Sequence, residues 1–356
     1  MTKRMGHIDI ARGIGILLVV LGHSDIGYYS PFAYQVIYSF HMPLFFFLSG
    51  YFINTSIGFW SYTIKRFNSL LKPYLFTIFI IYFTSVSFEN MSFKIAFGRI
   101  IKSIYASGYY IDWAPLWFLP HLFVVSLYAF FFYKLSGKTN SRFFKWGILV
   151  ATLWFASFFL QKFYPFPLTV FGKEYEIFGL PFSLDLVFLS GFFFILGGEI
   201  RQVTTEQTFE NLFLLFGTGL GVILLNLFFS QRIDFYSRIY DSFLINTIEA
   251  FIGILFILAL SRQIELRMPK LASLLSYFGR ISIMILIFHV PIQDFWGQKI
   301  LGLTDNLSIS IWGGFIMGVT GSILIYELFI KANPVASWWF GRQEELPEQK
   351  AALSKN

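Results

Sequence analysis

The 356-residue chain is 56% hydrophobic, 21% aromatic and 13% charged, whereas soluble globular domains carry about a quarter charged residues. This excludes a soluble enzyme with an ordinary charged surface, and the lack of Cys excludes disulfides, a thiol nucleophile and Cys-bound metal. The net charge of +7 comes from Lys and Arg scattered in short segments between apolar runs, a pattern of membrane topology and not of a nucleic-acid partner.

Apolar runs of helical length recur from end to end and predict an all-α polytopic membrane bundle. Ten spans are expected, at residues 8–24, 34–53, 73–88, 116–134, 143–161, 183–199, 209–229, 242–261, 272–293 and 308–331. Lys3 and Arg4 imitate a signal peptide, but no small-x-small cleavage site follows Leu21, and Asp9 and Arg12 interrupt the run; it reads as a retained first span. Residues 92–106, with Lys94, Arg99 and Lys102 among Phe93, Ile95, Phe97, Ile100 and Ile101, predict an amphipathic surface helix. With both termini cytoplasmic, the inside segments carry roughly twice the Lys and Arg of the outside loops, as the positive-inside rule requires. The expected organisation is one transmembrane domain, 1–340, in the inner (plasma) membrane, followed by a polar cytoplasmic tail, 341–356.

Span 1 carries Asp9, Arg12 and His23 where a bilayer tolerates them least, and intramembrane polar groups are functional by default. Arg12 and His23 are eleven residues apart, so on a helix they share a face to within about 20° and differ by about 16 Å in height. Asp9 lies close to the same face and can pair with Arg12; the functional alternative is that the Arg12 fork grips an anion. Lys65, Arg66 and Lys72 after span 2 are topology anchors first and phosphate contacts second.

The same topology brings His41, His121, Asp185 and His289 to the level of His23. Each histidine alone reads as structural or interfacial, but four spans delivering imidazoles to one side point to a shared site. Metal binding is not expected, because no His pair has i, i+3 or i, i+4 spacing. Trp113 and Trp117 suit the outer aromatic belt, or for Trp117 stacking on a sugar; Ser49-Gly50 suits helix packing more than substrate contact.

Asp9-x-x-Arg12-Gly13 with Val20-Leu21-Gly22-His23, then Ser39-Phe40-His41-Met42-Pro43-Leu44-Phe45-Phe46 and Ser49-Gly50, resembles the acyltransferase-3 family of integral-membrane acyltransferases, closest to its fucose 4-O-acetylase-like branch. Trp117-Phe118-Leu119-Pro120, Pro181-x-x-Leu184-Asp185 and Phe278-Gly279-Arg280-x-Ser282 through His289 echo later landmarks, with Arg280 where the family often has Asn. The resemblance implies that Arg12 helps hold the donor, usually acetyl-CoA, and that His23 acts at the acceptor hydroxyl. Coenzyme phosphates would then stay at the cytoplasmic mouth, near Arg12, Lys65, Arg66 and Lys72, with the pantetheine arm reaching His23 as general base. His41 or His121 would serve the oxyanion, and Asp9, Trp117, His121, Asp185 and His289 the acceptor. An acyl-histidine intermediate stays open, with direct transfer preferred because neither Cys nor a Ser–His pairing is evident. The implied reaction is O-acetylation of a lipid-linked or surface glycan from acyl-CoA; the alternative is a glycolipid or organic-anion transporter.

Overall fold

The computed structural model describes residues 6–137, 141–229 and 231–341. Helix α1 (Gly6–Gly22) is buried over most of its circumference. Around it stand α2 (Pro31–Gly50), α9 (Phe243–Arg267), α10 (Pro269–Arg280), α11 (Ser282–Thr304) and α12 (Leu307–Ile330). The second layer holds α3 (Phe59–Phe88), α5 (Ala114–Ser136), α6 (Phe143–Phe163), α7 (Pro181–Val203) and α8 (Leu212–Phe228). Among the described residues, six helices, α3, α5, α6, α7, α9 and α12, are long and apolar enough to cross a membrane, or seven if α10 and α11 form one bent span. The protein is therefore a helical membrane bundle.

Small residues let the helices approach to backbone contact. A Cβ at Gly13 would strike the Leu275 carbonyl and one at Gly279 would strike that of Asp9, so α1 and α10 interlock reciprocally. The α2–α7 contact repeats this device, with Gly50 against the Phe194 carbonyl and Gly197 against that of Phe47. The packing expected of Ser49-Gly50 is thus carried by Gly50.

The amphipathic helix is α4 (Phe93–Tyr105), capped by Ser92, whose hydroxyl accepts from the Ile95 amide. It leaves Phe93, Phe97, Ile101 and Ile104 on an exposed apolar face.

Three sequence expectations need correction. The segment 54–72 is not a loop up to Pro73: α3 begins at Phe59 and runs for 30 residues, about 45 Å, longer than the roughly 30 Å hydrocarbon core. Its first turns carry Lys65 and Arg66. Proline reads as a helix start, but here a π-turn at Phe67–Leu71 lets the Lys72 amide reach the Phe67 carbonyl and carries the helix into Pro73, which has no amide to donate.

The predicted span 272–293 is instead broken between α10 and α11 by an 80° bend. Ile281 leaves helical geometry there, and Arg280, expected within a span, is exposed at the corner. The α1–α10 interlock holds α10 in its own direction.

The third correction adds two antiparallel hairpins to the all-α expectation: β1 (Phe166–Val170) with β2 (Lys173–Ile177), and β3 (Ile233–Asp234) with β4 (Ile239–Tyr240). Phe171 and Gly172 both have positive φ at the first hairpin's turn, as a type I′ turn demands. The tail expected at 341–356 lies, after Gly341, outside the described residues.

Candidate functional site

A cavity of about 570 Å3 runs beside α1. Asp9, Arg12, Ile16, Val19 and His23 line it at alternating spacings of three and four, one continuous face of the helix. From Asp9 to His23 this face spans about 21 Å. The middle is apolar, with Met42 and Phe45 from α2, Phe118 and Leu122 from α5, and Leu286 from α11. Trp117 lines the wall as well, and Ser49 faces the cavity beside the packed Gly50.

The Arg12 end is cationic. Arg12 donates from Nη2 to the Leu48 carbonyl at 3.2 Å, and its Nη1 lies 3.7 Å from Asp9 Oδ1. Its guanidinium sits 5.3 Å from the Phe52 ring, which also carries Arg201 at 5.2 Å. Arg201 itself is tied to the Tyr51 carbonyl at 3.0 Å. The Gly13–Gly279 interlock brings Arg280 to this end of the cavity, and Lys65 and Arg66 line the cavity from α3. The lining therefore holds Arg12, Lys65, Arg66 and Arg280 against one carboxylate, Asp9.

His23 continues the α1 face to the opposite end. Its Nδ1 is 2.9 Å from the Val19 carbonyl. A carbonyl only accepts, so Nδ1 carries the proton and, in the neutral ring, Nε2 keeps its lone pair. The same i−4 bond fixes His41 on Ile37, at 2.8 Å, and His289 on Ile285, at 2.8 Å. His289 lies edge to face with His23, ring centroids 5.3 Å apart, and is fully buried with Nε2 unpartnered. Neither His41 nor His289 lines the cavity; His41 packs on Tyr38 at 4.7 Å.

Three other predicted site residues are held elsewhere. The Lys72 ammonium is 4.0 Å from the Trp338 ring, outside the cavity. His121 bridges the Phe182 carbonyl, Nδ1 at 3.1 Å, and Ser190 Oγ, Nε2 at 2.8 Å. This Ser–His pairing spans 69 residues, which is why it was not evident in the sequence. Both side chains are fully buried, and neither lines the cavity. Asp185 lies in a 3₁₀ turn, Pro181–Leu186, ahead of the α-helical part of α7. It takes Arg238 Nε on Oδ2 at 2.8 Å and the Leu180 amide on Oδ1 at 2.8 Å. Arg238 also donates to the Tyr236 carbonyl at 2.8 Å and lies 4.7 Å from the Tyr164 ring. This closed ion pair, with both side chains fully buried, ties α7 to the β3–β4 loop.

Thus Asp9, Arg12, His23, Lys65, Arg66 and Trp117 share the cavity, while Lys72, His41, His121, Asp185 and His289 do not line it. Arg280 and Ser49 line it without having been assigned to it. The available signal for Arg280 was its place after Gly279, which reads as a close helix contact once α1 is known to present Gly13. Among the described residues, no group of three or more His, Cys, Asp or Glu is placed to hold a metal ion.

A family model described as an acyltransferase domain, acyltransferase-3, matches residues 5–327. That is most of the chain, so the chain belongs to the acyltransferase-3 family and is a membrane acyltransferase. The transporter alternative gains no support from this match. No curated protein and no solved structure matches the chain.

Proposed function

Starting from a membrane acyltransferase, we propose that the protein O-acetylates a sugar hydroxyl of a lipid-linked or surface glycan, using acetyl-CoA. The observation that carries this reading is the single cavity that joins the cationic Arg12 end to His23 along one face of α1. Phosphates of the coenzyme bind at the Arg12, Lys65 and Arg66 end, where bidentate and point-charge donors suit them. The apolar middle accepts the pantetheine arm and excludes bulk water.

At the other end, His23 Nε2 takes the proton of the acceptor hydroxyl as its oxygen bonds to the thioester carbonyl carbon. The C–S bond then breaks, the coenzyme leaves as thiolate, and the imidazolium returns the proton to it. Since neither His41 nor His121 lines the cavity, the reading gives the proton transfer to His23 alone. The orientation that fits is cytoplasmic termini, inner-membrane location and ten spans, with α1, α2 and α8 completing the seven described above. Residues 1–340 then form one domain, with 341–356 as a cytoplasmic tail.

Purified protein incubated with labelled acetyl-CoA and a panel of glycans tests the reading. His23→Ala is expected to lower turnover by about 10²–10⁴-fold, and Arg12→Ala to raise the KM for acetyl-CoA. A His23→Ala enzyme with wild-type turnover would overturn the role of His23, and coenzyme-independent glycan flux without transfer would overturn the whole reading.

A further inference from the structure

The β1–β2 hairpin follows α6 directly and has two unlike faces. The pairs Phe166–Ile177, Leu168–Tyr175 and Val170–Lys173 put their side chains on one face, and Pro167–Glu176 and Thr169–Glu174 put theirs on the other. The first face is apolar up to Lys173, and the second is acidic. Leu168, Val170 and Tyr175 are nevertheless exposed, and Phe171 at the tip is completely so. Phe171 has φ 51°, a left-handed backbone that bulky side chains avoid and that Asn or Gly would hold without strain. Neither turn chemistry nor packing among the described residues accounts for an aromatic ring there. The base of the hairpin is fixed: the Gly179 amide donates to the Phe163 carbonyl at 2.8 Å, the Phe178 amide to Tyr110 Oη at 3.2 Å and the Tyr105 hydroxyl to the Gly179 carbonyl at 2.9 Å.

We propose that this hairpin is an interfacial anchor, with Phe171 and the apolar face seated at the boundary of headgroups and acyl chains in the leaflet at the His23 end. The occupant follows from α6. Only 22% of the apolar stretch of α6 is buried inside the bundle, so most of its circumference meets lipid, and Trp154, Phe155 and Phe158 are exposed towards its end. That surface passes to the hairpin without a break: Phe163 closes α6 and lies 6.2 Å, ring to ring, from Phe166 on the apolar face. Tyr164, between them, covers the Arg238 guanidinium at 4.7 Å in the β3–β4 loop, and the charge of Asp234 in β3 acts on His23, which fixes the end of the bundle. Aromatic rings suit the headgroup level, and Lys173 suits it as a stem along apolar surface with an ammonium that reaches lipid phosphate. Edge pairing with a second copy is disfavoured, because Pro167 offers no amide on β1 and Lys173, Glu174 and Glu176 charge β2. Four exposed apolar side chains are also far fewer than the roughly 20–30 residues a side of a stable protein interface. The inference is independent of the donor and the acceptor.

The chain has no Cys, so single cysteines can be labelled with a nitroxide in the full-length protein in lipid nanodiscs. Leu168→Cys, Phe171→Cys and Tyr175→Cys report the apolar face and tip, and Thr169→Cys and Glu176→Cys the acidic face. Accessibility to oxygen relative to a water-soluble nickel complex is expected to rise at 168, 171 and 175 and to fall at 169 and 176, alternating along the strands. Should one of these variants fail to fold, Val170→Cys and Glu174→Cys report the same two faces. Preferential access to nickel at every position would place the hairpin in water and overturn the anchor. Low access to both reagents at 168, 171 and 175 would also overturn it, since protein would then cover the face. Phe171→Asn, which relieves the turn, should melt no lower than wild type in detergent while a nitroxide at 168 shifts towards water in nanodiscs; an unchanged depth at 168 would overturn the part given to Phe171.

Discussion

Asp185 separates two accounts of the same residue, a ligand for the acceptor or a structural anion. In the structure its carboxylate and the Arg238 guanidinium are both fully buried, with Nε–Oδ2 at 2.8 Å and Nη2–Oδ1 at 3.4 Å. Asp185→Ala would strand the guanidinium. Tyr236 would still accept from Nη1 and Tyr164 would still cover the plane, but neither supplies charge. Breaking a buried pair by removing one partner costs about 3–5 kcal/mol, and the bond to the Leu180 amide adds about 1 kcal/mol. Thermal unfolding of the detergent-purified protein, followed by loss of the monodisperse peak on size exclusion, should show a fall on the order of 5–10 °C. The double variant Asp185→Leu, Arg238→Met should recover most of it, because replacing both members of a buried pair by apolar groups of similar volume is close to neutral. Acyl transfer per folded molecule should then return towards wild type. An Asp185→Ala protein that melts like wild type but no longer binds acceptor would refute the structural account.

Two further outcomes follow from the packing. Gly279→Ala should destabilise the protein by about 1–3 kcal/mol, since the new methyl meets the Asp9 carbonyl and not a flexible side chain; because α10 must move away from α1, the KM for the donor should rise as well, and a variant with unchanged melting temperature and KM would contradict the interlock. Lys72→Met should leave the KM for the acyl donor unchanged and cost at most about 2 kcal/mol from the lost contact with Trp338; a raised KM for the donor would return Lys72 to the donor site.

The membrane bundle, the surface helix at 93–105 and the Asp9–Arg12–His23 face were legible in the sequence because each depends on a local period. Apolar runs report burial in lipid, and spacings of three, four and eleven residues report one face of a helix regardless of what surrounds it. Tertiary structure decided which groups share that face's cavity. Lys65 and Lys72 lie seven residues apart on one helix, yet the first lines the cavity and the second faces Trp338. Asp185 and His121 sit at functional-looking positions, but partners 53 and 69 residues away satisfy them in closed contacts. Arg280 reads as a residue inside a span until the 80° bend, locked by Gly13 and Gly279, puts it at the cavity. Periodicity is a property of one segment and survives any packing; the partner of a buried polar group, and the direction of a helix after a glycine contact, are set by segments far away in the chain. The α1 stripe was therefore written in the sequence, and the cavity wall that it faces was written in the fold.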